Sequence, residues 1–420
     1  MKKEQLVSIL LVVAMLVVAV AACAPSEEEA ASDPIKICFF AAVTSGAAES
    51  AKDMADGFQM FWDEYGQEVA GRPVEIFYED DAGDPDVALS KARLCVEQRE
   101  VDMLVGLLFA HTGLSVAEYV KEVEIPTFFQ VVSADDLTQR TPVDTLVRIA
   151  GWTSSQIHHP FGEWVYDNTE CRAVLTIASD YAFGHEVTGG FVNTFTDKGG
   201  TVVDQIWNPT GEADFSSYMA TIQAAAPDCV FSLQVGAAAV RFLQAYSDFG
   251  LKDTIPLYAG EVQADQSIIR GVEPPEAAVG YISAGHFTEG RDSPDTQAFV
   301  EGFDAKFGKL PGYYAPVSYT AAKWIAQALE DVGGNVDDKE AFLAAIRAVE
   351  FADSPMGPMK LDAYDNPIQN IYIREVEMRD DGRVWNVVKE VIPGVSQFWT
   401  YDPEEFLKQP VYSRDFQGID

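Results

Sequence analysis

The sequence predicts an α/β protein built as two lobes, each a doubly wound parallel sheet. Three observations carry this. Short apolar, β-branched runs alternate with apolar stripes at helical spacing from Ile35 onward, the pattern of βαβ units. The alternation restarts after a Gly/Ser-containing bridge at 148–155, so two sheets are expected. A chain of 420 residues is also more than one ordinary core accommodates.

The N-terminus stands apart from this body. Met1-Lys2-Lys3 is basic, 6–20 is almost continuously apolar, and Val20-Ala21-Ala22-Cys23 follows, so 1–22 reads as an export signal. The apolar run is short for a transmembrane helix. Val-Ala-Ala-Cys resembles a bacterial lipobox, with Cys23 as the lipidated first residue of the mature chain; an ordinary secretory signal with an incidental Cys is the alternative. Residues 23–33 are small, acidic and aperiodic, as a flexible tether is.

In the first lobe Ile35–Phe40 reads as a strand and 41–48 as a small-residue loop holding Thr44, Ser45 and Gly46. Met54, Phe58, Phe61, Trp62 and Tyr65 then mark one helix face. A strand over 74–78 ends in the acidic loop 79–84, and Ala88, Ala92, Cys95 and Val96 line the next helix. A strand over 103–108 leads through Phe109-Ala110-His111-Thr112-Gly113 into a further helix. A strand over 125–132 leads to Ser133. Strands separated by helices at this pace pair in parallel.

The second lobe opens on a helix carrying Ile157, Phe161, Trp164 and Val165. A buried strand over 173–178 feeds the polar, aromatic loop 179–184 and a helix with Val187, Phe191 and Phe195. Strands over 202–207, 230–233 and 255–259 follow, with a helix of Phe215, Tyr218, Met219 and Ile222 after the first. Near 280–287 the pattern changes. Two amphipathic helices, one with Phe299 and Phe303 and one with Tyr319, Ala322, Ala326 and Leu329, have no strand between them, so they are expected to return the chain to the first lobe. Strands over 368–376 and 383–391 come next. The first lobe is then 34–150 plus 284–352 and the second 151–283 plus 353–395. The tail 396–420 is aromatic, proline-containing and aperiodic, with no readable role.

A net charge of −37 argues against nucleic acid or an anionic membrane surface as partner. Cys38, Cys95, Cys171 and Cys229 form no CxxC pair and lie at no zinc-like spacing from His. They read as packed core thiols, with a disulfide open but not assignable from spacing. There is no phosphate loop, GxGxxG, HExxH or GxSxG. His158 and His159 are adjacent, cannot face one site from a helix, and read as a solvated or capping pair. No nucleophile–base constellation is present, so an enzyme is not expected, nor a cofactor or a metal.

What remains is loops at strand ends, where open α/β sheets take ligands. Amides after Phe109, at Ala110, His111 and Thr112, together with the Thr112 hydroxyl, suit an anion such as a carboxylate; Thr112 reads equally well as an N-cap. Ser133, beside Val132, is either a second donor or a turn residue. Tyr181 and Phe183 suit an apolar ligand wall, or simple packing of the lobe surface. Glu261 is placed to meet an ammonium or is merely solvated. Gln234 and Val235 are weaker candidates, as is Ser45.

Taken together, these pieces resemble the leucine/isoleucine/valine-binding family of type I periplasmic binding proteins, which serve branched-chain amino acid ABC transporters. The resemblance runs from about Ile35 to Val391. It rests on Thr44-Ser45-Gly46, Glu79-Asp80-Asp81-Ala82-Gly83-Asp84-Pro85, Leu137-Thr138-Gln139-Arg140, Arg148-Ile149-Ala150-Gly151, Ser179-Asp180-Tyr181-Ala182-Phe183-Gly184 and Asp214-Phe215-Ser216. It implies two lobes that close on a ligand about a three-segment hinge, the closed form docking on a membrane permease. It also implies a ligand carboxylate held by hydroxyls and amides at 110–112 and Ser133, with Phe183 as a wall and Glu261 as the ammonium partner. Ala110 stands where the family's leucine binders place a hydroxyl, and Val235 near the place of a tyrosine.

The expectation is a monomeric, lipid-anchored, extracytoplasmic solute-binding subunit of an ABC importer that captures a branched-chain or other hydrophobic amino acid. The alternative ligand for the same role is an aromatic carboxylate or an amide- or urea-like solute, which the positions of Trp152 and Tyr181 favour. A ligand-sensing receptor domain is the rival class.

Overall fold

The computed structural model describes residues 33–417. The export signal, Cys23 and all of the tether but Asp33 therefore lie outside the described residues. Among those described, no helix is long and apolar enough to cross a membrane.

The first sheet is assembled from β1 (Ile35–Phe40), α1 (Ala48–Tyr65), β2 (Glu68–Val69), β3 (Arg72–Glu79), α2 (Pro85–Glu97), β4 (Met103–Gly106), α3 (Ala110–Val123), β5 (Thr127–Phe129) and β6 (Leu146–Arg148). Its strand order is β2-β3-β1-β4-β5-β6. Strand β1 pairs in parallel with both β3 and β4, so Phe39 lies between Tyr78 and Val105. Local chemistry sets the boundaries: Asp84 caps α2 by accepting from the Asp86 and Val87 amides, with Pro85 opening the first turn. Strand β6 lies at the start of what reads from sequence as a bridge, and the strand expected over 125–132 contracts to three residues. The apolar run continues past its paired part because 130–134 are buried in the cleft wall.

The second sheet follows through α4 (His158–Asn168), β7 (Ala173–Ser179), α5 (Ala182–Asp197), β8 (Thr201–Asn208), α6 (Ser216–Ala225), β9 (Cys229–Leu233), α7 (Gly236–Asp248), β10 (Leu257–Ala259), α8 (Gln266–Ile269) and β11 (Ile282–Gly285). The chain then leaves through α9 (Pro294–Phe307), α10 (Tyr314–Asp331) and α11 (Lys339–Ala348). It returns as β12 (Glu350–Phe351), β13 (Met359–Leu361), β14 (Pro367–Met378) and β15 (Val384–Val395), with α12 (Pro403–Phe406) in the tail. The order is β12-β13-β14-β11-β10-β9-β7-β8, with β15 on β14. This sheet is mixed: β7 to β11 are parallel, whereas β14 runs antiparallel to β11, β13 and β15. Short connections force the reversals from β13 to β14 and from β14 to β15, since parallel pairing needs a long crossover; β14 meets β11 antiparallel after the long excursion through α9–α11.

Helices α9–α11 pack on the first sheet's layer. A Cβ on Gly57 would sit 2.1 Å from the Ala315 carbonyl, so glycine lets α1 and α10 approach backbone to backbone. Phe299 and Phe303 pack with Met60 and Ala315, and Phe342 of α11 meets Phe128 edge to face. The chain thus crosses between lobes three times: after β6, after β11 and after α11. Buried Arg148 braces the crossings. It donates to the Val132 and Ala134 carbonyls at 3.1 and 2.7 Å, to Asn366 Oδ1 at 2.8 Å, and to Thr138 Oγ1.

The four cysteines are disulfides, not packed thiols: Cys38–Cys95 ties β1 to α2, and Cys171–Cys229 ties the entry of β7 to β9. Residues on separate elements meet here, which spacing along the chain does not reveal. His158 and His159 are likewise buried rather than solvated. Their Nδ1 atoms bond the Ser154 and Gly190 carbonyls at 2.7 and 3.1 Å. The tail is a strap across both lobes. Arg140 of the first donates to the Gln409 carbonyl at 2.6 Å, while Tyr412 and Arg414 reach Gln205 and Asp180 of the second.

Candidate ligand-binding cleft

The carboxyl ends of both sheets face one another across a narrow, partly open space. The first lobe contributes Ala47, Leu108, Phe109, Ala110, Val131, Ser133, Tyr313 and Tyr314, and the second Tyr181, Phe183, Val235, Gly236 and Val262. The lobes are closed on it. Ser50 Oγ lies 2.8 Å from Ser267 Oγ, the Tyr313 amide donates to Asp265 at 2.7 Å, and Arg270 donates to Asp53 at 2.9 and 3.2 Å. A larger concavity beside α5, β8 and the tail is open to solvent and shares no lining residue with this space.

The first-lobe wall is the N-terminus of α3. The helix begins at Ala110, one turn earlier than the expected loop, after Phe109 in extended conformation and without a side-chain cap. Its first intrahelical bond is from Gly113 to Phe109, which leaves the amides of Ala110, His111 and Thr112 with the helix dipole behind them. The Thr112 hydroxyl is not offered to the cleft; it donates to the Phe109 carbonyl at 2.8 Å. Ser133 stands opposite. The Ser154 hydroxyl donates to the Ser133 carbonyl at 2.9 Å and lies 3.2 Å from Ser133 Oγ, so Ser133 keeps a hydroxyl able to turn toward a ligand. Extended backbone alternates side chains, so Val131 and Ser133 face the space while Val132 packs beneath α3 against Gly113.

Aromatic rings make the rest. Phe109 stacks on His111 at 5.3 Å, and His111 meets Tyr181 of the other lobe edge to face at 6.2 Å. Tyr181 and Phe183 lie 5.9 Å apart, and Tyr313 stacks on Tyr314 at 4.0 Å. Burial holds the Tyr181 and Tyr313 phenols well above their ordinary pKa, so both present neutral hydroxyls. His111 Nε2 is bonded to the Gly83 carbonyl at 2.9 Å and is anchored away from the space.

Of the residues singled out from sequence, Phe109, Ala110, Ser133, Tyr181, Phe183 and Val235 line the space together. Ser45 does not; its hydroxyl accepts from the Ala47 amide, and Ala47 takes the wall. Gln234 is buried and spent on Ser179 and Asn208. Glu261 is fully buried rather than solvated. Its carboxylate takes the His286 amide at 2.8 Å and His286 Nδ1 at 2.8 and 2.7 Å, with Arg374 Nη1 at 3.9 Å. Sequence reasoning missed Tyr313 and Tyr314. The paired tyrosines after Gly312, immediately before an amphipathic helix, were the available signal. Among the described residues no group of three or more His, Cys, Asp or Glu is placed to hold a metal.

Comparison with known proteins places this geometry. The family model described as periplasmic binding protein matches residues 34–383. Leu/Ile/Val-binding protein homolog 6 of Brucella melitensis is 28% identical over 363 residues, covering 85% of this chain and 91% of its own. An ABC transporter substrate-binding protein from Sphaerobacter thermophilus superposes with a TM-score of 0.81 at 33% identity, over 87% of this chain and 99% of its own. A solute-binding protein of an ABC transporter from Rhodopseudomonas palustris, solved with 3,4-dihydroxybenzoic acid, does so at 0.81 and 26%, over 87% and 98%. The matched family model and the overall superposition on these relatives show that this chain belongs to the periplasmic binding protein family as an ABC-type substrate-binding protein and not an enzyme.

Proposed function

We propose that this protein captures an aromatic carboxylate outside the cytoplasm and delivers it to the permease of an ABC importer. The observation that carries the ligand class is the state of Glu261. A ligand ammonium needs a carboxylate that reaches it, and Glu261 does not line the space; its oxygens instead accept the His286 amide and face the His286 ring nitrogen. The space itself is walled by Phe109, Tyr181, Phe183, Tyr313 and Tyr314, with flat apolar faces suited to a ring. The acid group would lie against the Ala110, His111 and Thr112 amides and accept from Ser133, a charge-assisted arrangement at a helix N-terminus. The relative solved with 3,4-dihydroxybenzoic acid supports the same class.

Binding shifts the open–closed population, because both lobes contact one ligand only when closed. The signal at 1–22 and Cys23 support attachment of a monomeric body to the membrane by lipid. The test is a thermal-shift and calorimetric panel on the mature chain, with benzoates set against leucine, isoleucine, valine and phenylalanine. A ligand that binds only the folded state raises Tm. Stabilisation by benzoates and not by aliphatic amino acids supports the proposal; the reverse overturns it in favour of a branched-chain ligand.

A further inference from the structure

One buried carboxylate joins helices of different lobes. Asp265 precedes α8 in the second lobe, and its Oδ1 accepts the Ser267 amide at 2.8 Å, the usual cap of its own helix. Its Oδ2 accepts the Tyr313 amide at 2.7 Å. Tyr313 is the cap residue of α10, the helix that packs on the first lobe, and its own side chain makes no capping bond. The acid at this positive helix end therefore comes from the opposite lobe.

Gly312 makes the approach possible. A Cβ there would lie 2.2 Å from both Asp265 carboxylate oxygens. The backbone at Gly312 is not left-handed, so the close approach alone requires glycine. A second contact runs beside the first: Ser267, capped by Asp265, places its Oγ 2.8 Å from Ser50 Oγ of α1. The residues held on the first-lobe side are Tyr313 and Tyr314, which stack at 4.0 Å and wall the ligand space.

We propose that Asp265 is a positioning residue, a clasp that forms as the lobes close and sets Tyr313 and Tyr314 against the bound ligand. A carboxylate on one lobe reaches an amide on the other only when the two are together, so this bond belongs to the closed state. In the open state Asp265 keeps its Ser267 cap and the Tyr313 amide turns to water. On closure the carboxylate fixes the backbone at the root of both rings without itself lining the space. The clasp rests on the reading above that the ligand lies between the lobes against these rings.

Calorimetry and stopped-flow dissociation of the mature chain test this, with benzoate as the probe and leucine in its place if benzoate does not bind. A failure of the aromatic-carboxylate reading is thereby told apart from a failure of the clasp. Asn caps a helix as well as Asp does, but its single carbonyl oxygen cannot serve both amides. Asp265→Asn should leave the melting temperature without ligand unchanged and raise koff by about fivefold or more. Gly312→Ala drives a methyl into the carboxylate of the closed form and should weaken binding by about tenfold or more. The losses should not add: with Asp265→Ala and Gly312→Ala together the methyl takes the vacated space, and binding should be no weaker than with Asp265→Ala alone. An unchanged koff in Asp265→Asn overturns the clasp, and so do additive losses. A lower melting temperature with unchanged affinity reduces Asp265 to a cap of α8 and overturns it too. Should the Asp265 variants not fold, Gly312→Ala decides alone, and parental affinity in it overturns the clasp.

Discussion

Glu261 and His286 form a closed pair: the carboxylate accepts the His286 amide and ring Nδ1, at 2.7–2.8 Å, with both groups fully buried. Two neighbouring elements, the turn after β10 and the second crossing, are joined by it. Glu261→Gln keeps the shape but turns an ionic acceptor into an amide that also brings unwanted donors. Stability should fall by about 1–3 kcal/mol, the cost of a mismatched buried polar group. Affinity for an aromatic acid should change by less than about threefold, since Glu261 does not touch it. Denaturant melts and calorimetry check both. A tenfold loss confined to an amino acid ligand would instead mark Glu261 as an ammonium partner.

Arg270 and Asp53 latch the lobes. Asp53 of α1 is fully buried and receives Arg270 Nη1 at 2.9 Å and Nη2 at 3.2 Å, with Lys309 Nζ at 2.6 Å. Neither Arg270 nor Asp53 lines the ligand space. Arg270→Ala is expected to weaken ligand binding by about 5- to 30-fold, the equivalent of about 1–2 kcal/mol removed from the closed state. The loss should fall on koff, where affinity differences between related complexes mostly reside. Stopped-flow dissociation measures it. An unchanged koff removes the latch.

Gly236 closes the gap on the other side of the mouth. Its φ is +54°, and a Cβ would meet the Gly46 carbonyl of the first lobe at 2.3 Å. Gly236→Ala therefore both strains the backbone and obstructs closure. Scattering should report a larger radius of gyration in the presence of ligand, with affinity down by tenfold or more. A variant as compact as the parent when liganded would show that the lobes absorb the methyl.

The repeating βαβ rhythm was legible because buried parallel strands are continuous apolar runs and their helices carry one apolar stripe. Ile35–Phe40 and the strand from Ala173 to Ser179 show this plainly. Elements with no rhythm of their own were not. Strands β6 and β11 are three and four residues long, too short for an alternation to register. The cleft was half legible for a related reason. Ser133, Tyr181 and Phe183 follow recognisable strands, but Tyr313 and Tyr314 arrive from a helix that joins the first lobe late in the chain. Glu261 sits where a ligand acid was expected; its commitment to His286, 25 residues away, is a tertiary fact. The tail had no pattern because it forms almost no secondary structure and gains its order from Arg140, Gln205 and Asp180.

Each lobe carries one disulfide, Cys38–Cys95 spanning 57 residues and Cys171–Cys229 spanning 58. Cross-links of this span stabilise a domain by about 2–4 kcal/mol, largely through the unfolded chain. Reduction, or Cys95→Ala and Cys229→Ala singly, should lower the melting temperature of the affected lobe without abolishing binding at 25 °C. Differential scanning calorimetry with and without reductant is the measurement. A melting curve indifferent to reductant would mean the thiols are free in solution.

Acid should stabilise the fold before it unfolds it. Asp135 on the first lobe and Glu186 of α5 are both buried at the lobe junction, where the Asp135 amide donates to Glu186 Oε2 at 3.2 Å. Burial first, and for Glu186 then the Asp135 charge, raises both; Asp135 reaches about 6, despite the Ser155 amide and the nearby Arg148 and Arg140. Asp81 and Asp265 are raised to about 6 by burial as well. A carboxyl with a folded-state pKa above its unfolded value of about 4 binds more protons when folded, so stability falls as pH rises through that window. The carboxyls that are lowered, such as Asp63 and Asp353, titrate below it and do not offset the effect there. The melting temperature at pH 5.5 should exceed that at pH 8 by at least about 2–4 °C, the shift that about 1 kcal/mol produces in a domain of this size. Asp135→Asn should flatten the dependence, because the amide needs no proton to sit beside Glu186. A melting temperature that rises from pH 5.5 to 8 would mean the pair stays ionised at the junction and is held there by Arg148.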